Sequence, residues 1–372
     1  MKPRRFACVI AIVLAYTVLA TQSFACTAFQ LTSGDGSKIY FRSMEFGFPF
    51  HSNVLIIPRG AQYTGATPDG KPGLKWSAKY GAVGLNADVA PNCLTDGMNE
   101  KGLVVGMLYL PGYGQFLPPD PSKDDRSIGS WQAAAYLLTT VATVEEAKQV
   151  LTSEKVYIAQ QIFPPFKAPL PVHFYIGDAS GAVVIAEYVN GKLSLHDDPL
   201  GVLTNSPSFN WQMTNLSNYV NLSPVNVPEL DLANNVDIQN FGQGSGMLGI
   251  PGDYTPPSRF VRVALFSHWV TAGKTVSETV NAGFHVLNTF DIFKGAVRSS
   301  NHSGSEMDVT EWAVAHDRTN LKTYIRTYGG LTIQMVDLKK IDFDQPGFRQ
   351  IAVDNTFAPA DITSRATALA VK

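Results

Sequence analysis

Cysteine is scarce in this chain, with three in 372 residues. That excludes a disulfide scaffold. Charge is also sparse, at 16% of residues, and no basic run is present. Nothing therefore points to nucleic acid or to an anionic membrane surface. The chain has no CxxC and no HExxH, and its seven histidines are scattered. A metal site gains no support, and no other cofactor is expected. Neither a GxSxG elbow nor a P-loop occurs. One GxGxxG does, Gly244 to Gly249, but Ile250-Pro251-Gly252 follows it and no strand precedes it. The strand–turn–helix setting of a dinucleotide site is missing.

Long apolar runs are equally rare. The one that stands out is at the N-terminus, where Lys2, Arg4 and Arg5 precede an apolar stretch from Phe6 to Ala20. Ser23-Phe24-Ala25 then forms a small-x-small cleavage site. The stretch is shorter than the roughly 20 residues a spanning helix needs, so residues 1–25 read as a cleaved secretory signal. Periplasmic or secreted placement follows, with residues 26–372 as a single domain. The signal takes away Cys8 and three of the 29 basic residues. The competing reading is a surface lipoprotein anchored through Cys26. Ser23 and the bulky Phe24 stand where such signals carry Leu and small residues, which disfavours it. Cys93 is expected to be a buried free thiol.

Two strands, 26–33 and 37–44, flank the turn Gly34-Asp35-Gly36. They predict a hairpin in which position i faces roughly 70 − i, bringing Arg42 to Glu45 back beside Cys26. Further strands are expected at 81–87, 102–110, 172–178, 182–189, 192–196, 311–317, 321–327 and 331–337. Helices are expected at 128–140, 143–152, 207–220, 256–271 and 276–288, with a capping box at Thr143/Glu146. Strands and helices come in blocks, which predicts α+β rather than a doubly wound parallel sheet. Pro- and Gly-rich loops at 111–123 and 249–258 are expected near a site or a subunit contact.

A cut after Ala25 would leave Cys26 first. Its thiol and its α-amine both titrate near neutrality, so one residue supplies a nucleophile and a base. Arg42 is placed to favour the thiolate; a surface strand arginine is the alternative. Glu45 is a candidate holder of the α-amine or of Arg42. Acyl transfer also needs oxyanion donors. Asn205, between a strand and a helix, could supply one, although an Asn before Ser-Pro is more often a cap or turn residue.

The segments Cys26-Thr27-Ala28, Phe41 to Glu45, Asp96 to Leu103, Gly201 to Trp211, Leu248 to Tyr254 and Ser258-Arg259-Phe260 resemble the choloylglycine hydrolases. These are the conjugated bile acid hydrolases and penicillin V acylases. The resemblance implies an N-terminal nucleophile hydrolase with a four-layer αββα sandwich of two antiparallel sheets flanked by helices. It also implies a homotetramer that cleaves a small N-acyl amide. Cys26 would be the nucleophile, Arg42 its support, Asn205 an oxyanion donor, and Arg259 a brace for the nucleophile end. Glu45 stands where the family has Asp. Tyr109 falls at the other oxyanion position, acting through its N–H; Tyr there resembles the penicillin V acylases and Asn the bile acid hydrolases. An acylase of N-acyl homoserine lactones is a further alternative. Phe46, Phe48, Phe50, Met107 and Phe116 are expected to line the acyl pocket, with ordinary core as the competing reading.

Overall fold

The computed structural model describes residues 25–298 and 307–367. The expected signal, apart from Ala25, lies outside the described residues.

The N-terminal hairpin forms because Gly36, at φ 89°, closes the turn in a conformation only glycine adopts freely. Its strands are β1, Cys26–Thr32, and β2, Lys38–Phe46. They pair from Cys26↔Met44 to Thr32↔Lys38, the register the turn predicted. Both faces of the hairpin are buried. The reason is its central place in a layered fold. Residues of one parity face a second sheet, and those of the other parity face helices.

The first sheet runs in the order Val202–Leu203, β1, β2, Met307–Asp317, Lys322–Thr327, Gln334–Asp337, with Val297–Arg298 paired beside Met307–Asp317. The second has eight strands: Lys192–Asp197, Val183–Val189, Val172–Gly177, Val104–Tyr109, Asp96–Asn99, Ala82–Leu85, Val54–Ile57 and Arg349–Ile351. Neighbouring strands in both are antiparallel. The strands at Val54, Asp96, Val202 and Arg349 were not foreseen; they are short or polar.

Helices α1, Ala133–Thr140, and α2, Val144–Thr152, cover the outer face of the second sheet. A short α3, Phe209–Asn215, follows the Asn205 turn. Helices α4, Pro256–Trp269, and α5, Val276–Asn288, cover the first sheet. Gly283 lets α5 approach closely, since a Cβ there would sit 2.1 Å from the Phe41 ring. The layers are thus αββα. Among the described residues no helix is long and apolar enough to cross a membrane. Gly244 to Gly249 forms only a short 3-10 turn, Ser245–Met247, with no dinucleotide-type helix after it.

Candidate active site

Parity within the hairpin decides what meets Cys26. Cys26, Arg42 and Met44 point toward the second sheet, whereas Thr27, Phe41, Ser43 and Glu45 point toward α4 and α5. Arg42 therefore reaches the sulfur, with Nη2 3.4 Å from Cys26 Sγ. The same nitrogen donates to the Met107 carbonyl at 2.6 Å. Nη1 donates to the Thr95 carbonyl at 2.6 Å and to Asp96 Oδ2 at 3.0 Å. Both members of this ion pair are fully buried. Burial works against the Arg42 charge, but Cys26 and Asp96 outweigh it and hold the guanidinium firmly protonated. Trp312 lies beneath the guanidinium, 5.4 Å from centroid to Cζ.

Asp96 is itself fully bound. Tyr40 donates to Oδ2 at 2.8 Å, and His316 Nε2 lies 2.7 Å from Oδ1. Gly106 makes room for this cluster, because a Cβ there would stand 2.3 Å from the Tyr40 hydroxyl. In the sequence Asp96 stands only as part of a motif, and neither Tyr40 nor His316 is singled out. The available signal was a carboxylate beside glycine in a strand, and a histidine ending the apolar run Trp312 to Ala315.

On the other side of Cys26, Arg259 rises from the first turn of α4. Nη1 donates to the Cys26 carbonyl at 2.5 Å and to Thr27 Oγ1 at 2.9 Å. Nη2 donates to Asn205 Oδ1 at 2.7 Å, and Nε to the Tyr254 carbonyl at 2.9 Å. These acceptors are neutral, and burial pulls the guanidinium down to about 10. The Cys26 backbone N–H also donates to Asn205 Oδ1, at 2.8 Å. Two donors thereby orient the amide, so that Asn205 Nδ2 faces the Tyr109 carbonyl at 2.8 Å and keeps a second hydrogen. In an extended strand a residue's N–H and C=O point the same way. The Tyr109 N–H thus lies on the edge that faces Asn205.

Glu45 is fully buried on the helix-facing side. Its N–H donates to the Ala25 carbonyl at 2.9 Å. Its Oε1 accepts from Thr310 at 3.3 Å, and Oε2 has no partner among the described residues. Burial pushes its carboxyl up to about 8, and the nearby Arg259 charge offsets only part of that. The expected contact with Arg42 is not made, because parity sends the two side chains to opposite faces and Asp96 takes Arg42 instead.

Beside the Cys26 sulfur lies an apolar cavity of about 60 Å³, lined by Met44, Phe46, Phe50, Met107, Tyr109 and Phe166 among others. It is smaller than the roughly 150 Å³ that accommodates a benzene, so a bulky acyl group requires the wall to part. Of the five residues expected at an acyl pocket, Phe46, Phe50 and Met107 line this cavity. Phe48 packs edge-on against Phe46 at 4.6 Å but lines a neighbouring cleft of about 570 Å³ with His51, Lys294 and Trp312. Phe116 is a correction. It sits in the core under α1 and α2, 4.7 Å from the Tyr188 ring, because the loop after Tyr109 turns away from Cys26. Cys93 is a free thiol, half-buried rather than buried as expected; it lines the same cavity as Cys26, and the apolar wall pushes its thiol up to about 12.

Residues 26–350 match the profile of the linear amide C–N hydrolases, choloylglycine hydrolase family. A bile salt hydrolase/transferase of Clostridium perfringens is 30% identical over 324 residues, covering 86% of this chain and 94% of that protein. A penicillin V acylase of Pectobacterium atrosepticum is 28% identical over 351 residues, covering 90% of this chain and 86% of that one. The solved conjugated bile acid hydrolase of C. perfringens superposes with a TM-score of 0.79 at 28% identity, over 91% of this chain and 100% of that one. The penicillin V acylase of Agrobacterium tumefaciens, at TM-score 0.70 and 24% identity over 88% and 91%, bears on the fold alone. Taken with the two-sheet fold, these matches show that the chain belongs to the choloylglycine hydrolase family and is a linear amide C–N hydrolase.

Proposed function

We propose that this protein is an exported amidase of the penicillin V acylase type, with Cys26 as its nucleophile after loss of residues 1–25. Two contacts on Cys26 carry the reading: its N lies 2.8 Å from Asn205 Oδ1, and its Sγ lies 3.4 Å from Arg42 Nη2. Removing residue 25 would leave an α-amine in a position already oriented by Asn205. That amine takes the thiol proton, and the sulfur attacks the amide carbonyl carbon. The Asn205 amide and the Tyr109 N–H hold the oxyanion while Arg42 supports the sulfur. The α-ammonium then gives its proton to the leaving nitrogen and the C–N bond breaks, leaving an acyl thioester. Water, deprotonated by the same amine, attacks the thioester. The C–S bond breaks, the acid leaves, and the sulfur regains its proton.

Tyr109 at the cavity wall favours a penicillin V type substrate over a conjugated bile acid. The bile salt hydrolase relative, at 30% identity, keeps the second reading open. A lipid on Cys26 fits poorly with a residue only 3% exposed whose sulfur meets Arg42. Periplasmic or secreted placement and a homotetramer belong to the same proposal. The hairpin Leu230–Leu232/Val236–Ile238 exposes its apolar side chains and offers a subunit contact. Mass measurement of the mature N-terminus and light scattering test these two points.

The deciding assay is amine release from penicillin V and glycocholate in parallel. Release mainly from penicillin V is expected. Preference for glycocholate would overturn the substrate assignment; activity on neither would overturn both assignments and leave the N-acyl homoserine lactones as the substrate to test.

A further inference from the structure

The two expected oxyanion donors belong to different sheets. Tyr109 ends a strand of the second sheet, whereas Asn205 follows Val202–Leu203 at the edge of the first. Their separation has to be held by something other than one strand's geometry, and the reaction as written leaves a candidate unused. His173 and Glu187 lie on adjacent strands of the second sheet, Val172–Gly177 and Val183–Val189. They are 0% and 1% exposed, and His173 pairs with Leu108, next to Tyr109.

This pair touches both flanks of the Asn205 turn. His173 Nε2 meets the Thr204 carbonyl at 2.9 Å, and Nδ1 meets Glu187 Oε1 at 2.9 Å. The Phe209 N–H, at the start of α3, donates to Glu187 Oε1 at 3.0 Å and Oε2 at 3.2 Å. A carbonyl oxygen only accepts, so Nε2 is the donor to Thr204, and Nδ1 is left to hold Glu187. His196 Nε2 stands 3.8 Å from Glu187 Oε2. Buried polar pairs of this kind add little stability over apolar packing of the same shape, so stability alone does not account for the pair. It reaches from the sheet of Tyr109 to both ends of the turn that carries Asn205.

We propose that His173 and Glu187 are positioning residues that fix the gap between Asn205 and the Tyr109 N–H, and so set the oxyanion site. The proposal rests on the amidase reading above. Its test uses Glu187→Gln and His173→Gln in the mature protein that begins at Cys26, expressed from the full chain and checked by N-terminal mass. Three quantities are read: kcat and KM on whichever amide the wild type cleaves, the rate of Cys26 alkylation by iodoacetamide followed by peptide mass, and the folded circular dichroism signal. Alkylation needs the sulfur but no oxyanion site. The expected result is a kcat about 10- to 100-fold lower, as for misplacement on the order of 1 Å. KM and Cys26 alkylation should stay near wild type. Unchanged kcat in both variants would overturn the proposal, as would kcat and alkylation falling together, the mark of a merely structural pair. A wild type that alkylates at Cys26 but cleaves none of penicillin V, glycocholate and a long-chain N-acyl homoserine lactone would instead overturn the functional reading on which the pair's role depends.

Discussion

Arg42 and Arg259 are both fully buried and both touch Cys26, yet their surroundings differ. Arg42 is compensated by the Asp96 carboxylate, itself held by Tyr40 and His316. Arg259 has only neutral hydrogen-bond acceptors and is drawn down to about 10. A buried ion pair fixes geometry, and breaking one side of it strands the other charge. Among the described residues Arg259 has no ion-pair partner in direct contact: Glu45 and Asp308 act on it only from a distance and do not offset its burial, so neutral dipoles orient it. In the proposed reaction the first arrangement holds the sulfur still. The second braces the Cys26 carbonyl and the Asn205 amide.

The most severe way to break this comparison removes what both arginines touch. Cys26→Ala should lower amide hydrolysis at least ~10⁴-fold while leaving the fold intact, measured as amine release alongside circular dichroism. Asp96→Ala comes next, because it leaves Arg42 buried and alone. Unfolding by denaturant should show a loss of about 3–5 kcal/mol, and activity should fall with it. Arg259→Gln should separate the two properties. It removes a charge that burial already disfavours, so stability should drop by less than in Asp96→Ala, while kcat falls by about 100-fold as Asn205 loses its orientation. Equal stability losses in the two variants would erase the distinction between the arginines.

The smallest effect concerns Glu45, on the Arg259 side. In the chain that retains Ala25, its folded value of about 8 lies above an ordinary 4.5. A raised folded value means its stabilising contribution is full below about 4.5 and is lost as pH rises through about 8. The unfolding free energy of that form, from denaturant titrations at each pH, should decline across this window by an amount on the order of a few kcal/mol. Glu45→Gln should flatten the decline. A slope unchanged by the substitution would mean that Glu45 is not the titrating group.

Much of this was legible in the sequence where the interaction is local. The glycine turn set the hairpin register, and the register carried Arg42 to Cys26. Parity, applied one step further, would also have separated Glu45 from Arg42, since 42 and 45 differ by an odd number. Tyr109 came from the resemblance, which also raised Asn205 above a cap or turn residue, because neither turn nor periodicity links residues nearly a hundred positions apart. Asp96, His316, His173 and Glu187 were passed over for a related reason. A buried charged side chain in a strand reads as an interruption of an apolar pattern until its partner is known, and that partner comes from another sheet or another part of the same sheet.

By itself the sequence determined the α+β class, the hairpin and the pairing of Cys26 with Arg42, since backbone geometry and strand alternation act over a few residues. Tertiary structure alone decided which carboxylate compensates Arg42, which aromatic rings reach the cavity, and how Asn205 comes to face Tyr109. Those outcomes depend on how two sheets stack, and burial makes each unmatched charge or donor costly enough to require a distant partner.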